Sequence, residues 1–301
     1  MASQLSHDHH TVPEFFLRRF LESGQQKLRE YNKPLGKWRY TAPSVATVDR
    51  DANVYGFEGG LTDVVEQEFS RIETNVSRVL PSIGQQSRPT DYEREGLGAF
   101  VALQLLRGRM LRSFWERAKR EFERLETALA FVKEKRADVA QKFAEDELDR
   151  YEKELIDEQR GLRLPKGFGL DRIGPMQHKL GAIILRMKWR LEIARSDEFF
   201  VVSDTPFVLT TNQTSKCDGI VGLCRDDLGV ELSCPLDPKK CLVIGWAGAE
   251  KWAISVPKTR VQEVNRRTAA AAQISVYAGP ITPRTQVIVE SQRRRAAKLL
   301  T

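Results

Sequence analysis

The sequence predicts an α+β fold in which a long central helix and a helical hairpin arm pack with a mostly antiparallel sheet. Apolar residues from Asp91 to about Arg136 recur every three or four positions, which is the spacing of one helix face. From 109 to 160, acidic and basic residues recur at the same spacing, which is typical of solvated helices turning back on each other. From 199 to 290, short apolar runs alternate with Pro and Gly turns, which is typical of strands.

The length and composition favour one composite domain. The chain has 301 residues and is 41% hydrophobic, which is enough to build a substantial core. We expect an N-terminal part at 12–112, a charged helical arm at 113–160 and a mostly β C-terminal part at 171–301. The Gly- and Pro-containing loop at 161–169 is the best candidate for a hinge.

The charge balance and the absence of long apolar runs limit the possible partners. The net charge of +7 allows attraction to nucleic acid or another polyanion, although 41 acidic residues are interleaved with 48 basic ones. No run reaches the roughly 18 apolar residues of a transmembrane helix. The first ten residues are polar and resemble neither a secretory signal nor a transit peptide. We therefore expect a basic cytoplasmic protein without a membrane partner.

The cysteine spacing predicts no metal site. Cys217, Cys224, Cys234 and Cys241 are separated by six, nine and six residues, whereas zinc sites usually contain a pair two to four apart. Disulfides are disfavoured in a reducing compartment. No phosphate-binding Gly-rich loop, dinucleotide fingerprint, His-Glu-x-x-His or nucleophile-elbow motif occurs in the sequence. The cofactor therefore stays unknown.

The elements before the central helix follow from turn residues and apolar spacing. Pro13 predicts the start of a short helix that carries Phe16, Leu17 and Phe20. A helix of about two turns is unstable alone in water, so these side chains must dock on the rest of the chain. The remaining predictions for this part are strands at Lys27–Tyr31, Lys37–Thr41 and Asn53–Phe57, and a helix at about 63–80 that begins after Thr62 and ends before Pro81.

The elements after the charged arm are predicted from the same signals. Proline predicts the start of two helices, one from Pro175 to about Arg190 and one from Pro257 to about Ala272. Runs rich in β-branched and aromatic residues predict the strands, with Pro235–Pro238 as a connection. The predicted strands are 199–202, 207–211, 230–234, 241–246, 274–278 and 287–290.

Several elements each carry one polar residue on an otherwise apolar face or at a strand end. Arg107 projects from the apolar stripe of the central helix with Gln104 beside it, and an arginine there requires an anion. Burying such groups separately costs several kcal/mol each, which is large against a net stability of roughly 5–15 kcal/mol. We therefore predict that they meet where the N-terminal helix, the central helix and the C-terminal sheet join. The proposed set is His10, Glu73 or Glu68, Arg107, Asp204 and Asn265.

Two interpretations of this predicted polar cluster stay open. In the structural one, Arg107 pairs with Asp204 or a helix carboxylate, and His10 and Asn265 complete the hydrogen bonds. In the enzymatic one, His10 is a general acid or base, Asp204 orients it or holds a metal, and Arg107 stabilises negative charge. That set, with Glu73 and Asn265 as further catalytic candidates, suits hydrolysis of phosphodiesters or nucleic acid. Candidate binding residues are Arg18, Gln104 and Ser203.

A non-enzymatic binding module is the alternative function. The charged arm at 113–160 would then contact a protein or nucleic acid, and the polar cluster would be structural.

Five segments, in this order, resemble an uncharacterised bacterial family. The opening stretch His-x-Val-Pro-x-Phe-x-Leu-Arg-x-Phe resembles its first motif, and Ser-Asp-Thr-Pro resembles a motif that more usually reads Ser-Asp-Asn-Pro. The family is the one called domain of unknown function 4238. The resemblance implies a bacterial-type protein and supplies no activity. The matching segments are His10–Phe20, Leu103–Arg107, Phe200–Pro206, Pro235–Pro238 and Val264–Asn265.

Overall fold

The computed structural model describes most of the chain as two compact units. One unit comprises 1–108 and 173–301, and the other comprises 109–172, which includes the predicted arm. Across the described residues, no helix is long and apolar enough to cross a membrane. The described residues are 8–50, 55–57, 60–62, 64–84, 86–107, 124–134, 145–162, 173–195, 197–211, 227–248 and 251–293.

The helices and strands alternate irregularly along the chain, and the predicted α+β class is confirmed. In the first half the elements are β1 (Asp8–His10), α1 (Glu14–Arg18), β2 (Leu28–Asn32), β3 (Lys37–Thr41), β4 (Val48–Arg50), β5 (Tyr55–Phe57), β6 (Gly60–Thr62), α2 (Val64–Val79), α3 (Asp91–Arg107), α4 (124–134) and α5 (Glu145–Leu162). In the second half they are α6 (Ile173–Arg186), β7 (Lys188–Ala194), β8 (Val202–Ser203), β9 (Val208–Thr211), β10 (Val230–Asp237), β11 (Lys240–Gly245), β12 (Ala253–Val256), α7 (Lys258–Ala271), β13 (Ser275–Ala278) and α8 (Pro283–Ser291).

The larger sheet has the strand order β12-β7-β11-β10-β9. Its neighbouring strands are antiparallel except for β12 and β7, which run parallel. Helix α7 packs on one face through Val261 and Val264, which contact Cys241, Val243 and Phe200 in a buried cluster. The predicted inward face of this helix, including Asn265 and Thr268, is buried as expected.

The smaller sheet has the order β3-β2-β13-β8 and joins the two ends of the chain. The predicted hairpin of β2 and β3 is confirmed, and β13 pairs with β2 on its other side. Tyr31 and Val276 belong to an apolar cluster with Val289 of α8. This sheet explains why the N-terminal segment docks on the C-terminal part.

Two predicted elements are wrong because their local patterns are ambiguous, and of the predicted strand at 199–202 only Val202 lies in a strand, β8. The helix from Pro175 ends at Arg186 rather than near Arg190, because residues 188–194 form β7 between β11 and β12. Residues 287–290 belong to helix α8 rather than to a strand. The Thr282 hydroxyl caps that helix by accepting the N–H of Thr285, and Pro283 occupies its first turn.

The second unit contains the two helices of the charged arm. Leu125, Leu129 and Val132 of α4 pack with Leu155 of α5 in a buried seam. Residues 91–107 and 124–134 are helical, as the predicted long helix requires. The stretch 108–123 and the predicted turn at 137–144 lie outside the described residues.

Candidate anion-binding site

The junction predicted to hold the polar cluster is filled by aromatic rings. Phe16 of α1 lies 6.0 Å from Phe100 of α3, measured between ring centroids. Phe100 in turn lies 5.8 Å from Phe207, which precedes β9. The three predicted parts of the chain therefore meet, and apolar contact holds them together there.

His10 connects the opening motif to a nearby loop. Its Nδ1 lies 3.1 Å from the carbonyl oxygen of Ala46, and the side chain is half-buried. The Thr47 hydroxyl donates to the carbonyl of Val12 at 2.9 Å. The backbone of Thr47 has a φ of 61°, an uncommon conformation for a residue with a side chain. These contacts give the His-x-Val-Pro stretch a structural role.

Asp204 is buried and organises the start of β13. Its carboxylate accepts the backbone N–H groups of Ile274 at 2.7 Å, Gln273 at 3.0 Å and Ser275 at 3.3 Å. Asp204 and Lys33 interact electrostatically, and the negative charge of Asp204 favours the charged form of Lys33. Arg107, the predicted cation, ends α3, and its side chain lies outside the described residues.

Lys33 is buried at the C-terminal end of α7. Its Nζ donates to the carbonyl oxygens of Ala269 at 2.8 Å and Ala272 at 2.5 Å, where the helix has unpaired acceptors. Burial lowers the pKa of Lys33, and the charge of Asp204 acts in the opposite direction. Sequence reasoning missed this residue because it lies in a turn-forming Asn-Lys-Pro stretch.

Asn265 and Ser203 satisfy backbone groups as well. The Asn265 side chain accepts the N–H of Val201 at 3.0 Å and donates to the carbonyl of Phe199 at 2.8 Å. The Ser203 hydroxyl donates to the carbonyl of Thr205 at 2.9 Å. Both residues are fully buried; the Asn265 bonds attach the 199–201 segment to α7, whereas the Ser203 bond lies within the turn that follows β8.

The other predicted residues lie in different environments. Arg18 is exposed and pairs with Glu14 at 2.5 Å. Gln104 is buried, and neither its oxygen nor its nitrogen has a hydrogen bond among the described residues. Glu73 is half-buried on α2, and the side chain of Glu68 lies outside the described residues.

A cavity of about 220 Å³ opens over one row of residues in the larger sheet. The row crosses four strands as Lys188, Gly245, Glu231 and Thr210, which are direct cross-strand neighbours. Cross-strand neighbours point to the same face of a sheet, and Gly245 leaves a gap in the row because it has no side chain. Arg267 of α7 lines the same cavity.

One carboxylate holds the two arginines of this cavity. Arg267 Nη1 donates to Glu231 Oε1 at 2.7 Å, and Arg190 Nη2 lies 3.9 Å from Glu231 Oε2. A third arginine, Arg260, lies behind them and donates to Glu231 Oε1 at 2.7 Å and to Glu192 Oε2 at 2.9 Å. These ion pairs attach α7 to the sheet and position the two guanidinium groups at the cavity.

The guanidinium group of Arg190 has unused donors. Its Nη2 donates to Glu192 Oε1 at 2.7 Å, whereas Nη1 and Nε make no hydrogen bond within the described part of the chain. A Cβ atom at position 248 would lie 3.4 Å from Arg190 Nη1, but Gly248 has no such atom. Gly248 has a φ of 123°, which favours glycine, so this stretch of backbone leaves the guanidinium uncovered.

The electrostatics keep these groups charged at neutral pH. Burial alone would raise the pKa of Glu231, but hydrogen bonds from Arg260 and Arg267 lower it below the ordinary value. Burial alone would lower the pKa of Arg260, but its bonds to Glu192 and Glu231 raise it. The lowered pKa of Glu231 therefore keeps a negative charge at the wall of the cavity at neutral pH.

Among the described residues that line it, three cations and one carboxylate make this cavity a candidate anion-binding site in an α+β protein. Among the described residues, no group of three or more His, Cys, Asp or Glu side chains is placed to hold a metal. The chain belongs to the family described as "Protein of unknown function (DUF4238)", which matches residues 8–281. The resemblance found in the sequence is thereby confirmed. No curated protein and no solved structure matches the chain.

Sequence reasoning missed this site although one signal was present. Lys188-Trp189-Arg190-Leu191-Glu192 alternates polar and apolar residues, which is the pattern of a strand. The expected continuation of the preceding helix concealed that alternation. Nothing local in the sequence places this strand near Glu231 and α7.

Proposed function

We propose that the protein is a binding protein for a phosphate-bearing ligand, which it holds in the cavity over Gly245. The observation that carries this proposal is the pair of guanidinium groups, Arg190 and Arg267, that line the cavity beside Glu231, with Arg190 Nη1 making no hydrogen bond among the described residues. Planar guanidinium groups bind phosphate oxygens through paired, charge-assisted hydrogen bonds. Lys188 uses one of its three donors on the carbonyl of Gly248 and adds a further positive charge.

The structural surroundings favour binding in a fixed geometry. Arg267 is held on both sides, because its Nη1 bonds Thr210 and Glu231 and its Nη2 bonds Glu263. Arg190 is held by Glu192, which is almost completely buried. Ligand binding therefore requires little additional ordering of either side chain, which reduces the entropic cost of association.

Titration with inorganic phosphate tests the proposal. Calorimetry at constant ionic strength is expected to show saturable binding that Arg190→Gln and Arg267→Gln each weaken roughly ten- to hundredfold, the usual effect of losing charge-assisted hydrogen bonds. The matched control is Arg29→Gln, which removes the same charge from a more exposed arginine on β2. If all three variants weakened phosphate binding equally, the effect would come from net charge alone and the proposed site would be refuted.

Hydrolysis of a phosphodiester is the second candidate function. Among the described residues that line the cavity, Glu231 is the one carboxylate able to act as a general base. Its lowered pKa makes it a weak base at neutral pH, so binding ranks ahead of hydrolysis. Hydrolysis would rank ahead of binding if the protein released nitrophenolate from bis(4-nitrophenyl) phosphate. That activity would have to be lost in Glu231→Gln and retained in Arg29→Gln.

Nucleic acid and a protein partner are tested separately from the cavity. A single-stranded oligonucleotide that binds with a steep salt dependence, and that inorganic phosphate does not displace, would indicate a surface outside the cavity. Neutralising the arm residues Lys119, Arg120, Lys133 and Lys135 together tests whether that surface belongs to 113–160.

A further inference from the structure

The hydrogen bonds of Glu231 restrict the kind of ligand that completes the cavity. Its Oε1 accepts from Arg260 and Arg267, each at 2.7 Å. Its Oε2 has Arg190 at 3.9 Å, which is beyond hydrogen-bonding distance. Its charged Oε2 therefore accepts no hydrogen bond from the described residues. Glu231 lines the cavity.

The fully ionised phosphate group of an ester cannot satisfy this oxygen. A fully ionised phosphate has acceptors and no donors, and its negative charge repels the carboxylate. The ligand atom facing Glu231 must instead be a donor, either a hydroxyl or an ammonium group. The described part of the lining carries three cations, Lys188, Arg190 and Arg267, against one carboxylate, which disfavours an additional ammonium group and favours a hydroxyl.

The same charges favour a phosphate monoester over a diester. Among the described residues of the lining, three cations against one carboxylate leave two positive charges; Glu192 and Glu263, which pair with Arg190 and Arg267, do not line the cavity. A monoester carries about −1.5 to −2 at pH 7, whereas a diester carries a single negative charge. The cavity of about 220 Å³ is smaller than the roughly 300–1,000 Å³ of pockets for drug-sized ligands, so the ligand is small.

We propose that the ligand is a small phosphate monoester that carries hydroxyl groups, such as a phosphorylated polyol or sugar. Its phosphate binds Arg190, Arg267 and Lys188, and one of its hydroxyl groups donates to Glu231. This inference rests on the proposed binding function and adds the chemical class of the ligand.

Two phosphate monoesters of the same carbon chain length test the inference. Glycerol 3-phosphate and propyl phosphate share a three-carbon chain and a phosphate, and only the former has hydroxyl groups. Calorimetry on the full chain is expected to show that glycerol 3-phosphate binds about tenfold more tightly. Dimethyl phosphate, a diester, is expected to bind more weakly than either.

Glu231→Gln identifies the group that produces the preference. Its amide oxygen can keep the bonds from Arg260 and Arg267, which places a donor NH₂ where Oε2 was. In this variant the two esters are then expected to bind with about equal affinity. If this variant does not fold, the comparison of the two esters on the native protein decides.

The possible failures are distinguishable. Equal binding of the two monoesters, or equal binding of dimethyl phosphate, overturns the ligand class and leaves phosphate binding intact. Absence of binding by inorganic phosphate and by all three esters overturns the proposed function itself.

Discussion

Replacing Asp204 with alanine separates a structural role from a catalytic one. The Asp204 carboxylate accepts three backbone N–H groups at the start of β13 and faces the charge of buried Lys33. Alanine has no acceptor, so the substitution leaves these donors without their partner and Lys33 without its counter-charge. Both consequences destabilise the native state and leave the unfolded chain nearly unaffected.

The magnitude follows from the contacts. Each of the three donors that loses its acceptor costs about 1–3 kcal/mol, and the loss of the Asp204 charge further disfavours the buried Lys33 ammonium group. Because these contributions overlap, we expect Asp204→Ala to lower the free energy of unfolding by about 3–5 kcal/mol. That is a large part of the roughly 5–15 kcal/mol typical of a domain.

Urea unfolding, followed by circular dichroism and tryptophan fluorescence, measures this loss. The matched control is Glu14→Ala, which removes a carboxylate paired with exposed Arg18 and is expected to change stability by about 0.5 kcal/mol or less. The reasoning would be refuted if Asp204→Ala lowered the free energy of unfolding by less than about 1 kcal/mol and left its dependence on urea concentration unchanged. An intact fold that had lost a measurable activity would instead favour the catalytic role predicted for Asp204.

Three further predictions follow from buried groups. Asn265→Ala is expected to lower the free energy of unfolding by about 2–4 kcal/mol in the same urea assay, since it removes both hydrogen bonds to the 199–201 segment. The ion pairs of Glu231 contribute stability that is present above its ordinary pKa of 4.5 and is lost as the pH falls through its lowered native pKa. The melting temperature should therefore fall below pH 4.5, and less so in Glu231→Gln; an equal fall in both proteins would contradict this. Burial raises the pKa of the Cys234 and Cys241 thiols well above their ordinary value, so both should resist alkylation by iodoacetamide until urea unfolds the protein. Peptide mass spectrometry of the alkylated protein reports each site, and rapid native labelling of either would show that its strand opens.

Most of the helices and strands were predictable because their signals are local. The helix 64–79 follows from an apolar stripe ending before Pro81, and α7 follows from Pro257 and the spacing of Val261 and Val264. Local signals fail where two periodicities compete. The polar and apolar alternation of β7 directly follows a helical pattern, and the β-branched run at 287–290 lies behind a proline and a capping threonine.

The candidate site was much less predictable, because its residues come from separate elements. Asp204 and Asn265 were correctly singled out as polar groups in apolar surroundings, and their partners are backbone groups about 64 to 71 residues away. Arg190, Glu231 and Arg267 lie on two strands and a helix and look individually like ordinary surface charges. Their meeting depends on the order of strands in the sheet.

The sequence by itself determined where most of the chain is helical or extended, which faces are apolar, and which family the chain belongs to. Residues a few positions apart set those properties through the 3.6- and 2-residue periods of helix and strand. Only the tertiary structure decided that Lys33 meets carbonyl groups 236 and 239 residues further along the chain, and that Gly245 leaves a gap between Lys188 and Glu231. Such contacts depend on strand order and register, which are set by the packing of the whole core rather than by any short segment.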